Sequence, residues 1–123
     1  MSVARVLICE PHPDIRSLLA FVVRRIGHEP VVFDGNREQA RGVDAIVIEP
    51  GENAALELAA WTRSHLPGVP ILCTSIFPPW PATAELRPDA YLVKPFPLYE
   101  LEHALTDALD RRRGGLRLGL VGA

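Results

Sequence analysis

Five short runs of consecutive apolar residues constrain this chain more than any other feature. They are Val6-Leu7-Ile8-Cys9, Val31-Val32-Phe33, Ala45-Ile46-Val47-Ile48, Pro70-Ile71-Leu72-Cys73-Thr74 and Ala90-Tyr91-Leu92-Val93. The first has no polar alternation and fits a strand covered on both faces in a parallel sheet, and the other four read as further strands. Helical patterns fill the gaps. After Glu10-Pro11-His12-Pro13-Asp14, the residues Ile15, Leu18, Leu19, Val22, Val23 and Ile26 form an apolar stripe at helical spacing. Pro13 is tolerated in the first turn of that helix and Gly27 is its stop.

The later connections are uneven. Asn36 to Val43 has room for only about two helical turns, with Gly42 as terminator. Ala54 to His65 reads as a full helix carrying Leu58 and Trp61. Phe77-Pro78-Pro79-Trp80-Pro81 excludes a long regular helix, which leaves one weak helix from about Ala82 to Leu86. Leu98 to about Arg113 places Leu101, Ala104, Leu105, Ala108 and Leu109 on one side, and Gly114-Gly115 is the expected end. Strands alternating with helices give a doubly wound α/β sheet, because right-handed crossovers place helices on both faces.

Composition fits one such domain. The chain has 123 residues, 48% of them hydrophobic, and 13 Lys+Arg against 15 Asp+Glu, for a net charge of −2. A core of that size forms without covalent staples, and Cys9 and Cys73, each inside an apolar run, read as small core hydrophobes in a reducing cytoplasmic setting. The charge balance argues against a nucleic-acid surface built on phosphate neutralisation, and Arg111-Arg112-Arg113 reads as a solvated helix end. No apolar stretch reaches the ~18 residues of a membrane span or resembles an export signal.

Parallel α/β sheets bind ligands beyond the carboxyl ends of their strands. The residues that stand there are Glu10, Glu49, Ser75 and Lys94, two acids, a hydroxyl and an ammonium. No glycine-rich phosphate loop follows the first strand, so nucleotide binding of the P-loop or dinucleotide kind is not expected.

From about Arg5 to Arg113, the chain resembles the receiver domain of bacterial two-component response regulators. The likeness rests on acids after the first and third strands, a hydroxyl after the fourth, and Tyr91-Leu92-Val93-Lys94-Pro95-Phe96 at the fifth; Pro13-Asp14-Ile15-Arg16 is similar to the usual opening of the first helix. The resemblance implies a flavodoxin-like five-stranded fold, here with a shortened second helix and a proline-rich, reduced fourth helix. It implies residues 1–113 as the receiver and 114–123 as a tail or the start of a linker. It also implies a signalling module that is no enzyme in its own right and whose partners are a histidine kinase, an effector domain or a second copy. By the same resemblance Glu49 stands at the phosphoacceptor position, Lys94 contacts the phosphoryl group, Ser75 is the switch hydroxyl and Tyr91 the aromatic that reports the state of the site.

Two departures fall on the phosphotransfer chemistry. Glu49 replaces the family's aspartate, and its extra methylene moves the carboxylate by up to ~1.5 Å, where misplacement by about 1 Å can cost ~100-fold in rate. Glu10 is followed by Pro11, so the family's acidic pair is halved. Glu10 and Glu49 alone then make a weak Mg²⁺ site, since that ion needs near-octahedral oxygens. Glu49 is expected to reach toward Lys94 and Ser75, which suits a phosphorylation-independent receiver. The rivals are a conventional receiver phosphorylated by a histidine kinase, and a small flavodoxin-like ligand-binding protein or enzyme using Glu10, His12, Glu49 and Lys94. Against a metal role, His12 reads as an ordinary loop histidine, and Trp80 is either a lid on the core or an exposed contact. Leu116-Arg117-Leu118-Gly119-Leu120 is apolar enough to pack on a partner.

Overall fold

A computed structural model describes residues 3–122, with side chains except at 113 and 115–122. Its strands are β1 (Arg5–Cys9), β2 (Glu29–Val32), β3 (Ala45–Ile48), β4 (Ile71–Ser75) and β5 (Ala90–Val93). Its helices are α1 (Pro13–Arg25), α2 (Asn53–His65), α3 (Pro81–Leu86) and α4 (Leu98–Gly122), and a 3-10 turn spans Arg37–Gly42. The strands form one parallel sheet in the order β2-β1-β3-β4-β5.

Alternating strand residues feed two cores. Val6, Ile8, Ala45, Val47 and Leu72 pack with Leu19, Val22 and Val23 of α1 and Leu101, Leu105 and Leu109 of α4. On the opposite face Leu7, Ile46, Ile48, Ile71 and Cys73 pack with Leu58 and Trp61 of α2, Ala40 of the 3-10 turn and Leu86 of α3. This is why the β1, β3 and β4 runs lack polar alternation, whereas the edge strands β2 and β5 are only partly covered. Each fully buried Leu or Ile contributes about 1.5–3 kcal/mol relative to leaving it in water.

Local chemistry sets the element ends. Asp14 in the first turn of α1 and Arg24 and Arg25 in its last turn complement the helix dipole, and Gly27 turns the chain at φ +89°. Pro30 sits in β2, an edge strand, where a missing N–H costs least. Thr83 Oγ1 accepts from Trp80 N at 2.9 Å and donates to Trp80 O at 2.7 Å, which closes the start of α3.

Three expectations need correction. The Asn36–Val43 segment is a six-residue 3-10 turn and no α-helix. It is capped by Asn36, whose Oδ1 accepts from Glu38 N, and the side chains of Arg37 and Arg41 lie over the Trp61 ring at 5.5 and 5.2 Å. On its α2 side Trp61 stacks on His65, with centroids 4.6 Å apart. In α1 the buried arc is rotated: Ala20 is buried, whereas Leu18 is 45% exposed. The last helix runs through Gly114-Gly115 to Gly122. Gly114 is not among the residues with positive φ, so it does not form the left-handed cap that ends helices, and glycine inside a helix costs only about 1 kcal/mol. The Leu116–Leu120 side chains, a partner contact or the start of a linker by sequence, lie outside the described residues. Among the described residues no helix is long and apolar enough to cross a membrane.

Candidate functional site

The carboxyl ends of β1, β3, β4 and β5 are held level by hydrogen bonds that continue one step past the strands. Glu49 N donates to Cys9 O at 3.0 Å, and Lys94 N donates to Ser75 O at 2.7 Å. Cys9 is in register with Ile48, and Ser75 with Val93. The side chains of Glu10, Glu49, Ser75 and Lys94 therefore start from neighbouring backbone positions that the sheet itself fixes.

Three of these side chains meet. Lys94 Nζ donates to Glu10 Oε1 at 2.7 Å and to Glu49 Oε2 at 2.8 Å. The side chains are 13%, 2% and 12% exposed for Lys94, Glu10 and Glu49, so the triad is withdrawn from water. The remaining oxygens are also engaged: Glu10 Oε2 accepts from His12 N at 3.2 Å, and Glu49 Oε1 accepts from Gly51 N at 2.9 Å. All four carboxylate oxygens thus have a donor from this chain. Burial pushes the Lys94 ammonium down, but its hydrogen bonds and charge attraction to Glu10 and Glu49 outweigh that and leave it above the ordinary lysine value.

Gly51 allows this fold-back. A Cβ built there would lie 3.0 Å from Glu49 Oε1, so a side chain would crowd the carboxylate against its own hydrogen bond. The sequence singled out neither Gly51 nor the His12 amide, because backbone donors carry no residue-type pattern. The bridge from Glu10 to Lys94, 84 residues away in sequence, was equally unread. Arg16 Nη1 also reaches Glu10 O at 3.2 Å and anchors the loop before α1.

Ser75 and Tyr91 serve a second cluster. Ser75 is fully buried, and its Oγ accepts from Phe77 N at 3.2 Å. The Tyr91 hydroxyl donates to Phe77 O at 2.7 Å. Both polar groups of Phe77 are thereby held, and Ile76 and Phe77 project outward, 63% and 57% exposed. Burial raises the Tyr91 hydroxyl, and the neighbouring Ser75 side chain partly counters it. Glu49 therefore reaches Lys94 but takes its other bond from Gly51 N, where Ser75 was expected.

The two cysteines near the site are both buried. Burial, helped by Glu10 and Glu52, pushes Cys9 up to about 11. Burial and Glu49 push Cys73 up to about 12, against a smaller opposing effect of Arg63. Among the described residues no three His, Cys, Asp or Glu gather as a metal cage. A divalent cation between Glu10 and Glu49 would have to compete with an ammonium already bonded to both.

No family model and no curated protein matches this chain. Its backbone is similar to NtrX from Brucella abortus, with TM-score 0.83 and 17% identity over 98% of this chain, which spans 29% of the NtrX chain. A response regulator from Thermotoga maritima matches with TM-score 0.75 and 14% identity over 89% of this chain and 99% of its own. A CheY-like response regulator receiver domain protein from Methanospirillum hungatei JF-1 matches with TM-score 0.79 and 16% identity over 93% of this chain and 99% of its own. Sheet order, helix placement and these likenesses agree: the chain has the flavodoxin-like fold of CheY-like response-regulator receiver domains.

Proposed function

We propose that this domain is an atypical receiver module in two-component-type signal transduction, working without phosphorylation at Glu49. One observation carries the reading: Lys94 sits between two buried carboxylates whose four oxygens all have donors within the chain. In-line attack on a phosphoryl group needs a free, correctly placed carboxylate oxygen and a cation to neutralise accumulating charge. Here the acid is one methylene too long for an aspartate site and both its oxygens are engaged. The ammonium already engages one oxygen of each acid that would hold a divalent ion.

The triad on this reading is a structural clasp, and the output is a surface. The module binds a protein partner, which is a histidine kinase, an effector domain or a second copy, in the cytoplasm. It binds neither membrane nor nucleic acid and carries no metal of its own. The test is incubation with a small-molecule phosphodonor and Mg²⁺, followed by intact mass measurement under mild conditions. No phosphoryl adduct is expected; a stable adduct on Glu49 would replace this reading with a conventional phosphotransfer receiver.

A further inference from the structure

The opposite end of the sheet carries a feature that the receiver reading does not use. The α2–β4 loop, the start of β5 and the last described side chains of α4 surround a cavity of about 460 Å³, inside the ~300–1,000 Å³ range of small-molecule sites. Three guanidiniums, from Arg63, Arg111 and Arg112, and one carboxylate, from Asp89, line it. Val69 and Pro70 add an apolar floor. The protein as a whole is net negative, so this positive excess is local.

The guanidiniums differ in how they are held. Arg63 donates to Leu86 O and Arg87 O at 2.8 Å, to Val69 O at 3.4 Å and to Asp89 Oδ2 at 3.2 Å. Its charge is fixed in place before any ligand arrives, which lowers the entropy cost of binding. Arg112 Nη1 donates to Gly68 O at 2.9 Å. Its Nε is buried with no hydrogen-bond acceptor, Asp44 Oδ1 lying 3.8 Å away. Arg111 is exposed and has no ion-pair partner among the described residues.

We propose that this groove binds a small multivalent oxyanion, recognised through phosphate or carboxylate oxygens. Guanidinium forks match both groups in geometry and charge. Asp89 is consumed by Arg63 and by Ile71 N and Asp44 faces only the Nε side of Arg112 at 3.8 Å, so Arg111 is the cation left for the ligand, with Arg112 held beside it.

Amide NMR titration of the full chain with inorganic pyrophosphate and, separately, with citrate, at ionic strength held constant with NaCl, tests this. Saturable shifts are expected at Gly68, Val69, Asp89, Arg111 and Arg112. Arg111→Ala should weaken binding about tenfold, a change of about 1.4 kcal/mol, and the distant exposed Arg24→Ala should leave it unchanged. Saturation by pyrophosphate alone assigns the site to phosphoryl groups, by citrate alone to carboxylates, and by both to the shared chemistry. Shifts that never saturate, or that survive Arg111→Ala unchanged, overturn the proposal. The groove and the triad lie at opposite ends of the strands, so this outcome does not depend on whether Glu49 accepts a phosphoryl group.

Discussion

Replacing Lys94 by methionine removes the ammonium while keeping most of the side chain's length, and leaves Glu10 and Glu49 facing each other. Carboxylate oxygens that lie 2.7 and 2.8 Å from one nitrogen are no more than about 5.5 Å apart. At an effective dielectric constant near 20, two unit charges at that separation repel by about 3 kcal/mol. Breaking a buried ion pair from one side costs about 3–5 kcal/mol by mutational experience, and the two figures agree. No discount for solvent screening is needed, because none of the three side chains is more than 13% exposed. Lys94→Met should therefore lower the urea midpoint by roughly 2 M for an m-value near 2 kcal/mol/M. The triple variant Glu10→Gln/Glu49→Gln/Lys94→Met should regain most of the loss, since it leaves no unpaired charge. The Lys94 pKa is raised on folding above the ordinary 10.5, so the clasp's contribution is fully present below that pH. It fades as pH rises through the folded value. The gap between wild type and Lys94→Met should then hold from neutrality to about pH 10 and narrow above it. A loss under about 1 kcal/mol, the worth of a surface pair, would refute the buried clasp.

Other outcomes follow from the same geometry. Gly51→Ala would place a methyl 3.0 Å from Glu49 Oε1, the far end of that side chain, and should shift the carboxylate at a cost no larger than about 1 kcal/mol; equilibrium denaturation reads this directly. Cys9 and Cys73, with thiols at about 11 and 12, should stay unmodified by iodoacetamide at pH 8 in the folded protein and react fully in urea. At most about one thiol in a thousand is ionised at that pH. Rapid native alkylation of either would contradict the buried placement.

The parts of the fold written in runs of apolar residues were legible. β3 and β5 fall on Ala45–Ile48 and Ala90–Val93, because continuous apolar runs between turn residues admit little else. The Arg37–Gly42 turn was legible in length but not in type, since six residues carry too little periodicity to tell 3-10 from α. The end of α4 was misplaced because a glycine pair signals a stop only when one of them turns left-handed, a backbone property that composition does not reveal. At the site, strand ends announced which side chains would converge. They did not announce which oxygen would meet which donor. That depends on rotamers and on amides such as His12 N and Gly51 N, so the Glu10–Lys94 bond and the separate attachment of Ser75 to Phe77 emerged only from the structure.

Trp61, under Arg37 and Arg41 and stacked on His65, has a consequence of its own. Its indole emission, seen beside that of Trp80, is expected to change when the short turn that follows β2 leaves α2. The molecule thus carries a built-in optical gauge for loosening along that flank, readable without attaching a dye.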